Sequence, residues 1–525
     1  MVFRISILLL GALVALGILL PSTLDAIAQG MLAGVLSHAG WLFLMIVALI
    51  VVFLLYLAFG RFGSLRIGGE DAEPEFSSTT WLAMLFAAGM GIGLVFWGAA
   101  EPIDHLLDPP EGLEAGGFPA ARAAMRYSFF HWGLHPWAIY ALMGLAIAWF
   151  RYNRGARGQI SELLEPLVGR HANGVFGGAV NTIAVVATAV GVATTLGFGA
   201  MQISAGLGRV FGLPTGFTLQ LIVIAVAFVL YMLSSVSGLH RGIKWLSSAN
   251  LVIAAVLALA VFALGPTGFI LDTFTTTLGG YINTLPDMSL RMSPYSGAGW
   301  VGEWTVFFWA WWIAWAPFVG AFIARISVGR TVREFVVGVV LLPTLVGFMW
   351  FSVFGGAGLF MELGGHADLG GALAVGREQV LFSLFDALPL GSLLSVLAIL
   401  LLVSFFVTSA DSATLVLASM SSGGDPDPRL RRRVVWGVLQ ALVAAALLAA
   451  GGLDALQAMV TIAALPFVLL LAAVAVSLHR ALASEELERE RRARAFRDAM
   501  RRWLAREAAQ AEQEARAARE AGDRQ

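Results

Sequence analysis

The chain has 525 residues, 58% of them hydrophobic and only 13% charged, with a mean hydropathy of +0.82. No water-soluble domain holds that balance over such a length, which leaves a polytopic membrane protein. The formal net charge of −1 hides a strong asymmetry along the chain, and the absence of cysteine excludes disulfides, zinc–thiolate sites and thiol nucleophiles.

A helix that crosses a bilayer needs about 20 apolar residues. Twelve such runs stand in the sequence: Ile5–Leu20, Trp41–Phe59, Trp81–Ala100, Phe130–Phe150, Thr182–Ile203, Phe217–Val236, Trp245–Leu264, Trp300–Ile323, Val336–Phe354, Leu393–Ala413, Val434–Ala450 and Leu456–Leu478. The first run, with Arg4 ahead of it, also has the shape of a signal peptide; it is read here as a retained first span that serves as the insertion signal. Orientation follows from basic residues in the loops. With the N-terminus in the cytoplasm, the inner loops hold fifteen arginines and lysines, among them Arg61, Arg151, Arg241, Lys244, Arg325 and Arg433. The outer loops then hold five: Arg122, Arg126, Arg209, Arg291 and Arg377. Both termini are therefore expected in the cytoplasm.

Two spans contain helix-weakening residues near their middles. In the third, Gly89-Met90-Gly91-Ile92-Gly93 places glycine at alternate positions, which frees the backbone. Unwound backbone at that depth has to line a cavity and be satisfied by protein, water or ligand; a close helix crossing through Gly89 and Gly93 is the other reading. The fourth run opens Phe130-His131-Trp132-Gly133-Leu134-His135-Pro136-Trp137, with Trp137 and Tyr140 three apart on one face. Its histidines are read as hydrogen-bonded residues near a span end, with no metal-ligand spacing. Between the seventh and eighth runs, Phe269–Leu290 is too polar to span and suits an amphipathic helix along the outer interface.

The eighth run holds Trp309-Ala310-Trp311-Trp312-Ile313-Ala314-Trp315-Ala316-Pro317-Phe318. Trp311 and Trp315 fall four apart and Trp312 and Trp315 three apart, so three indoles share one helix sector. Pro317 is expected to kink or open the helix beside them. Anchoring tryptophans sit at span ends, whereas these are mid-span; aromatic faces in a dry pocket suit a quaternary ammonium group, with helix–helix packing as the alternative. In inverted-repeat transporters a pair of interrupted spans such as the third and eighth marks the binding site.

In the tenth run, Thr408-Ser409-Ala410-Asp411-Ser412 offers hydroxyls deep in a span that can ligate a hard cation, or that back-bond to their own helix. Residues 480–525 contain twelve arginines and ten acids and read as a solvated cytoplasmic helix. No His/Asp/Glu cluster is expected at mid-span, which argues against an intramembrane enzyme. A channel is disfavoured by the lack of a repeated filter or charged ring.

Taken together, Gly89–Gly93, Trp132–Tyr140, Trp309–Phe318 with the following Gly320, Arg325-Ile326-Ser327 and Gly329-Arg330-Thr331, and Thr408–Ser412 resemble the betaine/choline/carnitine transporter family, in order and over nearly the whole chain. The resemblance implies an all-α, leucine-transporter-like fold of 12 transmembrane helices. Residues 1–80 would hold two leading helices, 81–265 a first inverted repeat (spans three to seven), 266–299 the periplasmic interfacial helix, 300–478 a second repeat (spans eight to twelve) and 479–525 the charged C-terminal helix. It further implies a homotrimer among the lipids of the cell inner membrane, with no enzymatic activity, no cofactor and no nucleic-acid partner.

The family's aromatic box would map onto Trp132, Trp137, Tyr140, Trp311, Trp312 and Trp315 around an onium head group. The substrate carboxylate would lie against the backbone of Met90, Gly91, Ile92 and Gly93. The family's sodium site would use the Ala87 and Met90 carbonyls with Phe405, Thr408 and Ser409. For a second sodium ion Thr188 and Phe318 match, but Val192 stands where a second threonine would be. Choline carriers resemble G-x-G-x-D, whereas this chain ends the motif in Gly93, which favours a zwitterion such as glycine betaine. The implied function is sodium-coupled uptake of a zwitterionic onium solute, with sodium-independent exchange or proton-coupled choline carriage as alternatives.

Overall fold

The structure, a computed structural model, describes residues 1–237, 240–295 and 299–522; residues 238–239, 296–298 and the last three of the tail, 523–525, fall outside it. The side chains at 88, 236–245 and 520–522 also lie outside the description, Arg241 and Lys244 among them. No β-strand occurs among the described residues, apart from a single bridge between Arg66 and Thr331.

Helix α1 (Val2–Leu19) is followed at once by α2 (Pro21–Phe59), with Pro21 in the first turn, where its missing N–H has no intrahelical acceptor to lose. The stretch expected as a loop before Trp41 is therefore helical, and α2 has 39 residues. Next, α3 (Ser78–Gly89) starts on a Ser77 hydroxyl that accepts the Thr80 N–H at 3.2 Å. It stops where the glycines begin. Met90 and Gly91 are extended (φ −91° and −168°), and α4 (Ile92–Leu107) resumes at 63° to it. The expected interruption of the third span is present.

The fourth span is α5 (Phe118–Trp132) and α6 (Leu134–Arg154), separated by Gly133 at φ −97°, ψ −134°. The break places Pro136 in the first turn of α6, a position that tolerates proline. The span begins well before Phe130 because Ala120, Ala123 and Ala124 bury a narrow face while Arg122 and Arg126 lie off it. After the one-turn α7 (Glu165–Val168) come α8 (Val175–Phe211), α9 (Phe217–Ser237) and α10 (His240–Leu264). The segment read as interfacial is helical, α11 (Thr267–Leu290), with Tyr281 and Met288 buried and Leu271 and Ile282 exposed.

The eighth span is built from the short α12 (Gly299–Val301), a π-helical turn (Gly302–Val306) and α13 (Phe307–Ile326). The irregularity of this span is the π-turn at its start, and α13 stays helical, without opening, through Pro317. Small residues clamp the helix there: a Cβ on Gly320 would lie 2.8 Å from Met143, and one on Gly191 would lie 2.8 Å from Ala314. Backbones packed that closely leave little room for the helix to open.

Helix α14 (Val332–Leu363) opens on a capping box of Thr331 and Glu334, and two short helices, α15 (Leu369–Val375) and α16 (Val380–Asp386), precede α17 (Gly391–Met420). Finally α18 (Leu430–Gly522) breaks at Gly451 (φ −161°) and Gly452 (φ 59°), so the runs Val434–Ala450 and Leu456–Leu478 lie on its two arms. Ten described helices are long and apolar enough to cross a membrane, or 11 with α3 and α4 as one bent span; twelve requires each arm of α18 to cross. The tail packs further than expected. Ala481 and Leu482 are buried, Arg154 donates to the Ala481 carbonyl at 3.2 Å, His479 stacks on Tyr56 at 5.9 Å, and Arg489 donates to Ser64 Oγ at 2.9 Å and pairs with Glu70 at 3.3 Å, so the solvated part begins at Glu490.

Candidate functional site

The broken third span and the eighth both line a cavity of about 710 Å³. Its lining comprises residues 89–94, the rings of α5, α6 and α13, and a ledge of Phe405, Thr408, Ser409 and Asp411 from α17. From there the cavity runs past Phe318 to Arg325, Leu415 and Val416.

All six expected rings line it. Trp132 meets Trp312 edge-to-face, with centroids 4.9 Å apart and planes at 89°; Tyr140 meets Trp312 at 5.6 Å and 82°, and Trp311 lies nearly parallel to Trp312 at 5.6 Å and 26°. Trp315 packs on Phe318 at 5.0 Å. A buried indole N–H needs a partner, and each of four finds one. Trp132 donates to Glu101 Oε2 (2.8 Å), Trp311 to Thr195 Oγ1 (3.1 Å), Trp312 to the His131 carbonyl (3.0 Å) and Trp315 to the Gly191 carbonyl (3.0 Å). These four rings are thus fixed by their polar edges and offer carbon surface to the cavity.

The three glycines of the break have different tasks. A Cβ on Gly93 would come within 2.6 Å of the Trp311 ring and 3.0 Å of Trp132, and one on Gly89 within 3.1 Å of Trp137, whereas Gly91 has nothing within 4 Å. Gly89 and Gly93 therefore seat the indoles, and Gly91 occupies the turn. Because α4 starts at Ile92, its first N–H groups have no intrahelical acceptor and carry the positive end of the helix dipole.

Ala87, Met90, Phe405, Thr408 and Ser409 line the same cavity as the rings. The Thr408 hydroxyl back-bonds to the Ser404 carbonyl at 3.0 Å, which uses its hydrogen and leaves lone pairs for a cation. Phe318 also lines the cavity, but Thr188 does not; it is buried on α8, its Oγ1 without a hydrogen-bond partner among the described residues. The two residues matched for a second ion are not brought together there.

Contrary to the expectation of no acid–histidine cluster, Glu101, His105 and His131 converge, fully buried, behind the rings. His131 Nδ1 lies 2.8 Å from Glu101 Oε1, His131 Nε2 lies 3.0 Å from Thr305 Oγ1, and His105 Nε2 lies 3.3 Å from Glu101 Oε1. The one local signal was Glu101 and His105 four apart on a helix face; the partner, His131, belongs to another span. At that end of the eighth span Arg377 pairs with Asp104 (2.5 Å) and Glu303 (3.5 Å) and lies over Trp304. At the other end Arg325 pairs with Glu75 at 2.5 Å, and this hydrogen bond holds the Glu75 carboxyl below its ordinary pKa.

Apolar helices in this number, wrapped around a solute-sized cavity at a broken helix, define a multi-pass membrane transporter. The match to the betaine/carnitine/choline family transporters covers residues 1–487, and the chain belongs to that family. It is 45% identical over 490 residues to the glycine betaine transporter OpuD of Bacillus subtilis, covering 93% of this chain and 95% of that one. It is 42% identical to the ectoine/hydroxyectoine transporter of Virgibacillus pantothenticus (93% and 97% covered), and 41% identical to glycine betaine transporter 1 of Vibrio parahaemolyticus (90% and 91%). The expectation of a transporter and not an enzyme holds.

Proposed function

We propose that the protein imports a zwitterionic onium solute, glycine betaine first, with sodium as the coupling ion. The observation that supports this is the meeting of six aromatic rings, a helix N-terminus and a hydroxyl ledge in one cavity. A methylated ammonium head offers no hydrogen-bond donor, so ring faces are its natural partners, at about 0.5–2 kcal/mol per ring depending on desolvation. The carboxylate of the same solute faces the N–H groups that open α4 at Ile92 and Gly93. No acid stands at Gly93 to balance a bare cation, which favours a zwitterion over choline.

Sodium is placed among the Ala87, Met90 and Phe405 carbonyls and the Thr408 and Ser409 hydroxyls, hard oxygen donors suited to a hard cation. Met90 belongs to both sites, so ion and solute each stabilise the same conformation of the break, and their coupling is reciprocal. With Thr188 away from the cavity, this reading assigns a single ion. The names of the relatives agree with a betaine-type substrate, and the ectoine/hydroxyectoine relative makes ectoine the second candidate. In the proposed orientation both termini are cytoplasmic, the cavity reaches the cytoplasmic face at Arg325, and the protein works as a homotrimer in the cell inner membrane.

Radiolabelled glycine betaine uptake into proteoliposomes, driven by a sodium or a potassium gradient, tests the reading, with unlabelled ectoine and choline as competitors. Accumulation only with sodium, competed by ectoine more than by choline, is expected. Equal uptake in potassium would replace symport by exchange.

A further inference from the structure

Glu101 is fully buried behind the aromatic cage and is not part of the cavity wall. A carboxyl group removed from water needs donors, and an acid within a membrane span is seldom there for packing alone. Its partners are specific. Oε2 accepts the Trp132 indole N–H at 2.8 Å, and Oε1 meets His131 Nδ1 at 2.8 Å. The other nitrogen of His131 meets Thr305 Oγ1 of the π-turn at 3.0 Å, and its backbone carbonyl accepts the Trp312 indole N–H at 3.0 Å. The consecutive residues His131 and Trp132 thus connect one carboxyl group to both rings of the perpendicular corner, Trp132 and Trp312.

The local backbone explains the need for such a tether. Trp132 is the last residue of α5 and precedes the non-helical Gly133, so no continuous helical ladder fixes its position from the C-terminal side. Trp312, by contrast, lies inside α13. The side-chain network supplies to Trp132, at its helix end, what the helix supplies to the other ring.

We propose that Glu101 is a positioning residue for the onium site, holding the Trp132–Trp312 corner through the Trp132 indole and His131. The proposal rests on the cage reading above and adds to it a residue that touches no substrate.

The test is the KM for glycine betaine in proteoliposomes. Glu101→Gln keeps shape and bonding, since its amide oxygen can accept from Trp132 and its NH2 can donate to His131; a KM within about twofold of wild type is expected. Glu101→Leu removes both bonds at similar volume and is expected to raise KM about five- to tenfold. Trp132→Phe keeps a ring face but deletes the N–H, and in that background Glu101→Leu should add clearly less than it does alone. Strictly multiplicative effects, or a Gln variant as impaired as the Leu variant, overturn the proposal, because a merely structural acid gives no coupling to the indole N–H. If Glu101→Leu fails to reach the membrane, Trp132→Phe and Thr305→Val each cut one link, and each should raise KM about two- to threefold; unchanged values overturn it. Trp312→Leu is the control, and an unchanged KM there would sink the cage itself, which separates that failure from the failure of Glu101's role.

Discussion

Spans three and eight head the two halves that the family resemblance implies, and they meet the same cavity in opposite ways. The third gives up its helix and supplies backbone: Met90 and Gly91 are extended, and α3 and α4 diverge by 63°. The eighth keeps its helix and supplies side chains, with Trp311, Trp312 and Trp315 on α13. The two are sterically complementary, because the wall without side chains at Gly89 and Gly93 is where indoles from α6, α5 and α13 come to rest. A span breaks, on this comparison, where its freed amides and carbonyls have a use and its neighbours leave space. A proline alone does not break it, as Pro317 demonstrates.

The largest effect is expected at the contact between the two walls. In Gly93→Ala the new methyl stands 2.6 Å from the Trp311 ring. Overpacking of this kind costs about 1–3 kcal/mol, so the KM for glycine betaine should rise roughly tenfold or more, or uptake should be lost. Gly91→Ala, with open space around it and an extended φ of −168° that alanine adopts, should change KM by less than about threefold. Equal effects of the two alanines on uptake would erase the distinction between seating and hinge glycines. The same 2.6 Å contact means that Gly93→Asp displaces Trp311 before it can offer a carboxylate to choline.

On the intact side, Trp312→Leu retains apolar bulk and removes the ring quadrupole. A loss on the order of 1–2 kcal/mol translates into about a tenfold higher KM, measured as uptake at saturating sodium. An unchanged KM with normal expression would leave the ring as packing.

How far the sequence discloses this site depends on the range of the interaction that decides each feature. Gly89–Gly93 and Trp309–Trp315 stand out because they are extreme residue types at positions where a membrane helix has little use for them. The hydroxyl ledge at Thr408–Ser409 is legible for the same reason. Pro317 misleads as a sign of opening, since α13 stays wound through it in close contact with Gly144 and Gly191 on other spans. The start of the fourth span escapes a hydropathy reading because its alanine face is narrow and Arg122 and Arg126 interrupt the sequence beside it. The continuity of α2 escapes it because Asp25 and Gln29 satisfy one another at 3.3 Å on the helix surface. The Glu101–His131 contact joins two spans, and only the fold brings it about.

A smaller effect is expected where the broken span meets α17. If Thr408 ligates sodium, Thr408→Ala removes one of few oxygen donors, and the apparent sodium affinity should fall roughly fivefold, the equivalent of one polar contact. Betaine affinity should fall only through linkage and should return at high sodium, whereas the Trp312→Leu defect should not. Sodium activation curves at fixed betaine distinguish the two; an unaltered curve for Thr408→Ala removes that hydroxyl from the ion site.

The smallest effect is predicted for Pro317→Ala. If the eighth span is held wound by its neighbours, alanine merely restores an N–H to a helix that is already formed, and the rings two to six residues earlier keep their tethers to His131, Thr195 and Gly191. Helix propensity favours alanine over proline by about 3 kcal/mol in an isolated helix, but here the gain goes to the stability of α13 and not to the shape of the cavity. KM for betaine and apparent sodium affinity should therefore both stay within about twofold of wild type, against the tenfold expected at Trp312. A large KM change in Pro317→Ala, comparable to that of Gly93→Ala, would mean that the proline bends α13 during the transport cycle. The eighth span would then be a second hinge, and the contrast between a span that opens and a span that stays wound would hold for this one conformation alone.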